Sequence, residues 1–184
     1  LSENLFKGLS PWMQKLPGGL IHVNVVGCAL FAAISGSSAA TVATVGKMSI
    51  PELRKRKYPE KILLGSLAGS GTLGLLIPPS IILIIYGVTV QESIAKLFIA
   101  GIFPGIMIAL IFMSYVIVWS LTNHKIMPKV HETSSFLDKI KKSKQLLPVI
   151  LLILGVIGSI YTGVATATEA ASLGVVGALT LSYF

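Results

Sequence analysis

Two short clusters of small and hydroxyl-bearing residues are the parts of this sequence best suited to binding an ion. The first is Ser-Gly-Ser-Ser at residues 35–38, and the second is Gly-Ser-Gly-Thr-Leu-Gly at residues 69–74, followed by Pro78 and Pro79. Hydroxyl and carbonyl oxygens are ligands that hard cations accept in proteins. Glycine permits irregular backbone and proline withholds an N–H, so each cluster favours a break in a helix.

The segments around these clusters have the composition of a membrane protein. Hydrophobic residues make up 53% of the 184 residues, charged residues 12%, and mean hydropathy is +0.83. A spanning helix needs about 20 predominantly apolar residues. Apolar runs of about that length or longer occupy residues 19–46, 62–86, 97–121, 146–165 and 166–184. Because the last run continues to the end of the sequence, we expect the chain to be part of a longer protein.

The distribution of charge predicts how the chain crosses the membrane. Twelve of the 15 basic residues lie in segments 47–61 and 122–145, between apolar runs. Such loops are cytoplasmic under the positive-inside rule, which makes loop 87–96 external. A nucleic-acid surface is the alternative for a net charge of +8, but no aromatic platform for bases accompanies the basic residues.

The polar centre of residues 19–46 argues against a straight span, because unsatisfied backbone groups in lipid cost several kcal/mol each. Residues 19–34 would form a helical arm of roughly 24 Å, shorter than the hydrocarbon core of about 30 Å. We therefore predict a re-entrant hairpin at 19–46, after an amphipathic, interfacial lead-in at 1–18. Residues 62–86 are predicted to be a transmembrane helix broken near 74–79.

The clusters supply the candidate binding residues. Broken helices in transporters present half-helix N-termini to anionic substrates and freed carbonyls to Na⁺. The candidate Na⁺ ligands are Ser37, Ser38, Gly71, Thr72, Gly74 and Pro78. The candidate substrate-binding residues are Ser35, Gly36, Ser37, Pro79 and Ser80. Small-residue helix packing is the alternative role of both clusters, but it does not account for two polar interruptions in successive segments.

Three other motifs in the sequence do not meet the requirements of the sites they resemble. Residues 69–74 match G-x-G-x-x-G with Glu92 about 20 residues on, but a dinucleotide site must open a helix, and Pro78 follows at once. Met48 after Gly46-Lys47 excludes a P-loop. His22 is the one histidine within an apolar run, so an intramembrane hydrolase lacks an evident nucleophile and base pair; an interfacial or helix-packing role is the simpler interpretation.

Thr166 and Glu169 fit the capping box S/T-x-x-E, which predicts a helix beginning after Thr166. Glu169 is also one of few acidic residues beside a membrane segment, so a substrate or gating role stays open. Cys28 is the only cysteine and is expected to be small apolar filler.

Taken together, short motifs spread along the chain carry a family resemblance. They are LPGGL at 16–20 with His22-Val23-Asn24, ISGS at 34–37, IPPS at 77–80 with Tyr86-Gly87, Ala100-Gly101 with Pro104-Gly105, and TEAA at 168–171. In these residues the chain resembles the large membrane subunit of tripartite ATP-independent periplasmic (TRAP) transporters, over essentially its whole length. The family often has proline where Ala167 stands.

The resemblance implies an all-α, multi-pass protein of the bacterial or archaeal cytoplasmic membrane. It also implies one half of an inverted-repeat, elevator-type ion transporter, with this chain supplying one re-entrant hairpin and one broken helix. The expected partners are a small four-helix membrane subunit and a periplasmic binding protein that delivers an organic acid such as a C4-dicarboxylate or a sialic acid. Na⁺ is the expected coupling ion, and no other cofactor is expected.

The leading hypothesis is therefore a Na⁺-coupled importer of organic acids that is not an enzyme. A channel subunit whose broken helices line a pore is the alternative from another class. Saturable flux that requires a binding protein would favour the importer, and ohmic single-channel current would favour the channel. Without an arginine in the apolar runs, the sequence does not indicate which acid is carried.

Overall fold

The structure, a computed structural model, describes residues 2–128 and 142–183. Within these ranges the regular elements are helices and no strand occurs, which confirms the predicted all-α class. The α-helices are α1 (Ser2–Met13), α2 (Ile21–Ser35), α3 (Ser38–Lys55), α4 (Glu60–Gly71), α5 (Ile81–Val90), α6 (Ile94–Thr122), α7 (Leu147–Tyr161) and α8 (Ala167–Tyr183). Short 3₁₀ helices at Thr72–Leu75 and Lys144–Leu146 follow α4 and precede α7.

Helices α2 and α3 form a tight hairpin, because only Gly36 and Ser37 separate them. Gly36 ends α2 in the left-handed conformation (φ 60°), and its N–H donates to the Ala32 carbonyl at 3.0 Å. A residue with a Cβ is strained at that φ, whereas glycine is not. Ser37 begins α3 as its N-cap, accepting a hydrogen bond from the Ala40 N–H at 3.5 Å.

Helix α3 is longer than the sequence suggested. The basic segment that we treated as a loop from residue 47 is helical up to Lys55, and only residues 56–59 connect α3 to α4. Arg54 and Lys55 occupy the last turn of α3, where positive charge favours the helix dipole. The other predicted basic loop, 122–145, lies largely outside the described residues.

The connection between α3 and α4 is anchored to the start of α2. Tyr58 is buried, and its hydroxyl accepts a hydrogen bond from the Leu20 N–H at 3.1 Å. Burial raises the pKa of Tyr58, so the phenol stays neutral at physiological pH. Arg54 and Glu60 form an exposed ion pair across the connection at 2.7 Å, which contributes little to stability because water screens it.

Helices α4 and α5 are separated by an interruption that we call the break, residues 72–80. The 3₁₀ helix occupies its first part, and Ser80 ends it as the N-cap of α5, accepting from the Leu83 N–H at 3.5 Å. Pro78 and Pro79 lack the N–H groups that would bond the Gly74 and Leu75 carbonyls in a continuous α-helix. Leu75 finds another donor, since its carbonyl accepts from the Ser80 hydroxyl.

Helix α6 passes close to the break through two glycines one turn apart. A Cβ added to Gly101 would lie 2.9 Å from the Leu76 carbonyl oxygen, and one added to Gly105 would lie 2.8 Å from the Ile77 side chain. Small residues at four-residue spacing let membrane helices approach closely. The spacing therefore positions α6 against the irregular backbone.

Helix α1 and the N-terminal half of α2 form the largest apolar core with parts of α3, α4, α6 and α7. Helix α1, which lies within the amphipathic lead-in predicted for residues 1–18, packs into this core through Leu5, Phe6 and Leu9. The core includes Leu5, Phe6, Leu9, Leu20, Ile21, Val23, Leu53, Leu63, Val116, Leu146 and Val149. Burial of these side chains fixes the hairpin base against α1.

The later helices expose much apolar surface. Among the described residues, α6 alone is long and apolar enough to cross a membrane by length and composition, and α2, α5 and α7 are shorter apolar helices. Large apolar side chains such as Phe103 (75% exposed) and Val88 (68% exposed) lie on the surface. Patches of this kind mark contact with lipid or with other protein segments.

Candidate functional site

The hairpin tip, residues 35–38, packs directly against the break. The Ile81 N–H donates to the Gly36 carbonyl at 3.3 Å, which joins the tip to the beginning of α5. A Cβ added to Gly36 would lie 2.5 Å from the Pro79 carbonyl oxygen. The structure thus brings together Gly36 and Pro79, two residues that the sequence analysis selected from segments more than 40 residues apart.

Two glycines on the other side of the contact let the backbones meet. A Cβ added to Gly74 would lie 2.8 Å from both the Ser37 carbonyl carbon and the Ser38 nitrogen. A Cβ on Gly71 would overlap the Val42 side chain. Contacts below 3.0 Å essentially never occur for real Cβ atoms, so glycine at position 74 lets the break approach the tip, and glycine at position 71 lets α4 approach α3.

A compact hydroxyl network holds the tip. The Ser35 and Thr41 hydroxyls lie 2.8 Å apart, and the Thr41 hydroxyl lies 2.7 Å from the Ser37 carbonyl oxygen, to which it can donate. The Ser37 carbonyl also accepts from the Thr41 N–H at 3.0 Å. Thr41 is fully buried. These bonds fix the direction of the Ser37 carbonyl and leave the Ser37 side chain as the cap of α3.

Sequence reasoning missed Thr41. The signal that could have found it is its position four residues after Ser37, one helical turn on. At that spacing a threonine hydroxyl reaches back to a carbonyl of the preceding turn.

The other candidate binding residues lie at several different places around the tip and the break. Thr72 is exposed, and its hydroxyl donates to the Gly69 carbonyl at 2.7 Å instead of reaching the hairpin. Ser80 is fully buried and is occupied by its bonds to Leu75 and Leu83. Ser38 is partly buried, and its backbone nitrogen faces Gly74. Pro78 lies on the α6 side of the break, near Gly101.

The oxygens around the tip and the break define what the site can bind. No group of three or more histidine, cysteine, aspartate or glutamate side chains suited to a metal occurs among the described residues. A cation here would therefore be held by neutral carbonyl and hydroxyl oxygens. That donor set fits a weakly held monovalent hard cation better than a transition metal, which prefers imidazole or thiolate.

His22 lies away from the tip, in the base of the hairpin. It is fully buried, and its Nε2 atom lies 2.7 Å from the Pro17 carbonyl oxygen. Its ring also faces Gly18, which adopts φ 100°. Of the two roles predicted for His22, interfacial or helix-packing, the structure supports helix packing, because the ring is fully buried.

The beginning of α8 contains both hydrogen bonds of a capping box. The Thr166 N–H donates to a Glu169 carboxylate oxygen at 2.8 Å, and the Glu169 N–H donates to the Thr166 hydroxyl at 3.3 Å. Each bond satisfies a backbone donor that the helix itself leaves free. Both side chains are exposed and lie outside the tip and break.

We expect Thr166→Ala to lower the free energy of unfolding by about 1 kcal/mol, because it removes the N-cap acceptor. Glu169→Gln should retain most of the cap, since an amide oxygen can also accept from the Thr166 N–H. Thermal unfolding and uptake by the complete transporter would be measured for both variants. Normal folding of Glu169→Gln with loss of transport would instead assign Glu169 a role in substrate binding or gating.

Comparison with known protein families covers the whole chain. Residues 1–184 match the family model described as tripartite ATP-independent periplasmic transporter, DctM component. The chain belongs to this family. It is 40% identical over 159 residues to the C4-dicarboxylate TRAP transporter large permease protein DctM of Pseudomonas aeruginosa, covering 86% of this chain and 36% of the relative.

Two further relatives of the TRAP chain carry other substrate names. The sialic acid TRAP transporter large permease protein SiaM of Vibrio cholerae is 35% identical over 183 residues, covering 98% of this chain and 42% of the relative. The ectoine/5-hydroxyectoine TRAP transporter large permease protein UehC of Ruegeria pomeroyi is 37% identical, covering 92% and 39%. The chain thus spans about two fifths or less of the length of these relatives.

Proposed function

We propose that this TRAP chain forms part of a Na⁺-coupled symporter that imports an organic acid across the cytoplasmic membrane, with the tip and break as its share of the ion and substrate sites. The observation that carries the proposal is the direct contact of hairpin tip and break, through the Ile81 to Gly36 hydrogen bond and the glycine approach at Gly74. Irregular backbone at membrane depth is tolerated where it is buried in protein or lines a cavity. Here two such segments meet.

Helix lengths support placing this contact inside the bilayer. Helix α2 has 15 residues and α4 has 12, which correspond to roughly 22 Å and 18 Å at 1.5 Å per residue. Both are shorter than a hydrocarbon core of about 30 Å. With Leu20 and Glu60 near the cytoplasmic surface, each helix ends within the membrane, so α2 and α3 are proposed to be re-entrant.

The names of the relatives support a small polar substrate but do not indicate a single compound. Relatives named for C4-dicarboxylates, sialic acid and ectoine match at similar identities of 35–40%. We therefore propose the class of small organic acids, with C4-dicarboxylates and sialic acids as first candidates. By the same reasoning we propose a small four-helix membrane subunit and a periplasmic binding protein as partners. The relatives are named transporter permeases, which does not favour the channel alternative or an enzyme.

The test is uptake by the complete transporter in proteoliposomes, with its binding protein and a radiolabelled acid. We expect saturable uptake that requires an inward Na⁺ gradient and falls at least tenfold when choline replaces Na⁺. Replacing the binding protein with an unrelated one serves as the control. Uptake that is independent of Na⁺, or ohmic single-channel current in a planar bilayer, would contradict the proposal.

The proposed topology makes a separate prediction about accessibility. In a Cys28→Ser background, a cysteine replacing Lys55 is expected to be labelled by an impermeant thiol reagent only after cells are opened. A cysteine replacing Gln91, at the turn between α5 and α6, is expected to be labelled from outside. Labelling of position 55 in intact cells would reverse the orientation. The equivalent prediction for the Lys141 region concerns residues outside the described ranges.

A further inference from the structure

Three fully buried polar side-chain atoms in the hairpin base have no hydrogen-bond partner among the described residues. One is His22 Nδ1, two residues before Asn24, and the other two are the Asn24 Oδ1 atom on α2 and the Ser49 Oγ atom on α3. The orientation of the Asn24 amide is determined by its other end, because Nδ2 donates to the Leu63 carbonyl at 3.2 Å and to the Ser66 hydroxyl at 3.0 Å. A carbonyl can only accept, so the unpartnered atom is the amide oxygen.

Asn24 and Ser49 occupy corresponding sequence positions on the two helices of the hairpin. Asn24 precedes Gly36 by twelve residues and Ser49 follows Ser37 by twelve, so the two positions are equally far from the tip. One turn nearer the tip, Cys28 and Val45 pack in one buried cluster. Since residues four apart share a helix face, we expect Asn24 and Ser49 to lie one turn from Cys28 and Val45, on the facing sides of α2 and α3.

Helix α4 also packs against this part of the hairpin. Leu67 of α4 packs with Cys28 and Val45 in the apolar cluster. Within about one turn of Leu67, the Ser66 hydroxyl and the Leu63 carbonyl both accept hydrogen bonds from Asn24 Nδ2. We define Asn24, Ser49 and Ser66 as the polar layer. It lies at the junction of three helices, with the apolar cluster separating it from the tip and break.

We propose that the polar layer binds one water molecule, which donates a hydrogen bond to Asn24 Oδ1 and forms a second with Ser49 Oγ. Buried waters in proteins bind polar groups that would otherwise lack partners, typically through about three hydrogen bonds. Leaving a buried acceptor unbonded costs the desolvation of that group, which a bridging water avoids. The water joins α2 and α3, while Asn24 Nδ2 joins α2 and α4.

The chemistry of the polar layer favours water over a cation. Its side chains supply three neutral oxygens, and the Ser66 hydroxyl is already occupied by its bonds to Asn24 and to the Leu63 carbonyl. A hard cation needs more oxygens to replace its hydration shell. No carboxylate belongs to the layer, so a buried charge would lack a counter-charge. This inference is independent of Na⁺-coupled transport.

A double-mutant cycle in the complete purified transporter tests the proposal. Ser49→Ala, Asn24→Leu and the double variant would be compared by thermal unfolding, with Ser10→Ala as the control for a buried serine bonded to a carbonyl of its own helix. If water links the two side chains, Ser49→Ala lowers Tm by about 2 °C, and little further is lost once Asn24 has been replaced. The cycle cancels the higher helix propensity of alanine.

The same cycle shows a different result if no water links Ser49 to Asn24. If Ser49 is an isolated hydroxyl, Ser49→Ala raises Tm by the same amount with and without the Asn24→Leu substitution, and the proposal is wrong. Measuring the cycle in NaCl and in choline chloride separates water from a cation, because a coupling that disappears without Na⁺ would also overturn it. A high-resolution density map should show a peak within hydrogen-bonding distance of both atoms even where the Asn24 variant fails to fold.

Discussion

Gly74→Ala is expected to reduce uptake by the complete transporter at least tenfold. The added Cβ would lie 2.8–2.9 Å from backbone atoms of Ser37 and Ser38, which cannot rotate away as a side chain could. Relieving this overlap requires the tip to move away from the break, and overpacking of this kind typically costs about 1–3 kcal/mol. Uptake would be measured at saturating Na⁺, with folding checked by size-exclusion chromatography.

Gly65→Ala is the matched control for Gly74→Ala. Gly65 lies in α4, and a Cβ added there meets nothing within 4 Å. The same substitution should therefore leave uptake near wild type and slightly favour the helix. Gly36→Ala provides a second variant of the contact from the hairpin side, where a left-handed φ adds strain. Wild-type uptake by both contact variants would show that tip and break do not need this approach.

The sequence was sufficient to predict the all-helical class and the two irregular segments that meet. Apolar runs predict helices because lipid demands internal backbone bonding, and Pro78 and Pro79 mark the break because neither can donate a backbone hydrogen bond. Gly36 at the tip was identifiable for the same kind of reason, since few residues besides glycine end a helix in the left-handed conformation. These features depend on local chemistry alone.

Contacts between distant segments could not be predicted in the same way. The continuation of α3 to Lys55 depends on packing of its apolar face, while the charged residues on the same segment suggested a loop. Asn24 was noted in the sequence only as part of a family motif, yet its side chain bonds to α4 almost 40 residues further on. Thr72 stays a predicted Na⁺ ligand, and the sequence did not show that its side chain is exposed and that its hydroxyl donates to the Gly69 carbonyl.

Thr41→Val is expected to raise the Na⁺ concentration for half-maximal uptake about tenfold, equivalent to about 1.4 kcal/mol. Valine keeps the shape of threonine but removes the hydroxyl that bonds Ser35 and the Ser37 carbonyl. An ion held by carbonyl and hydroxyl oxygens at the tip loses affinity when those oxygens are no longer held in position. Thr41→Ser keeps the hydroxyl and should stay near wild type.

Ser37→Ala and Thr72→Ala test whether the proposed Na⁺ ion lies nearer the tip or nearer the break. Both should weaken apparent Na⁺ affinity more than they affect binding of substrate to the periplasmic protein. Ser37→Ala should have the larger effect, because Ser37 lies in the tip whereas the exposed Thr72 hydroxyl bonds to Gly69. Half-maximal Na⁺ would be measured by uptake with choline as the replacement cation. Wild-type Na⁺ dependence in Ser37→Ala and Thr41→Val, with normal expression, would place the ion away from the tip.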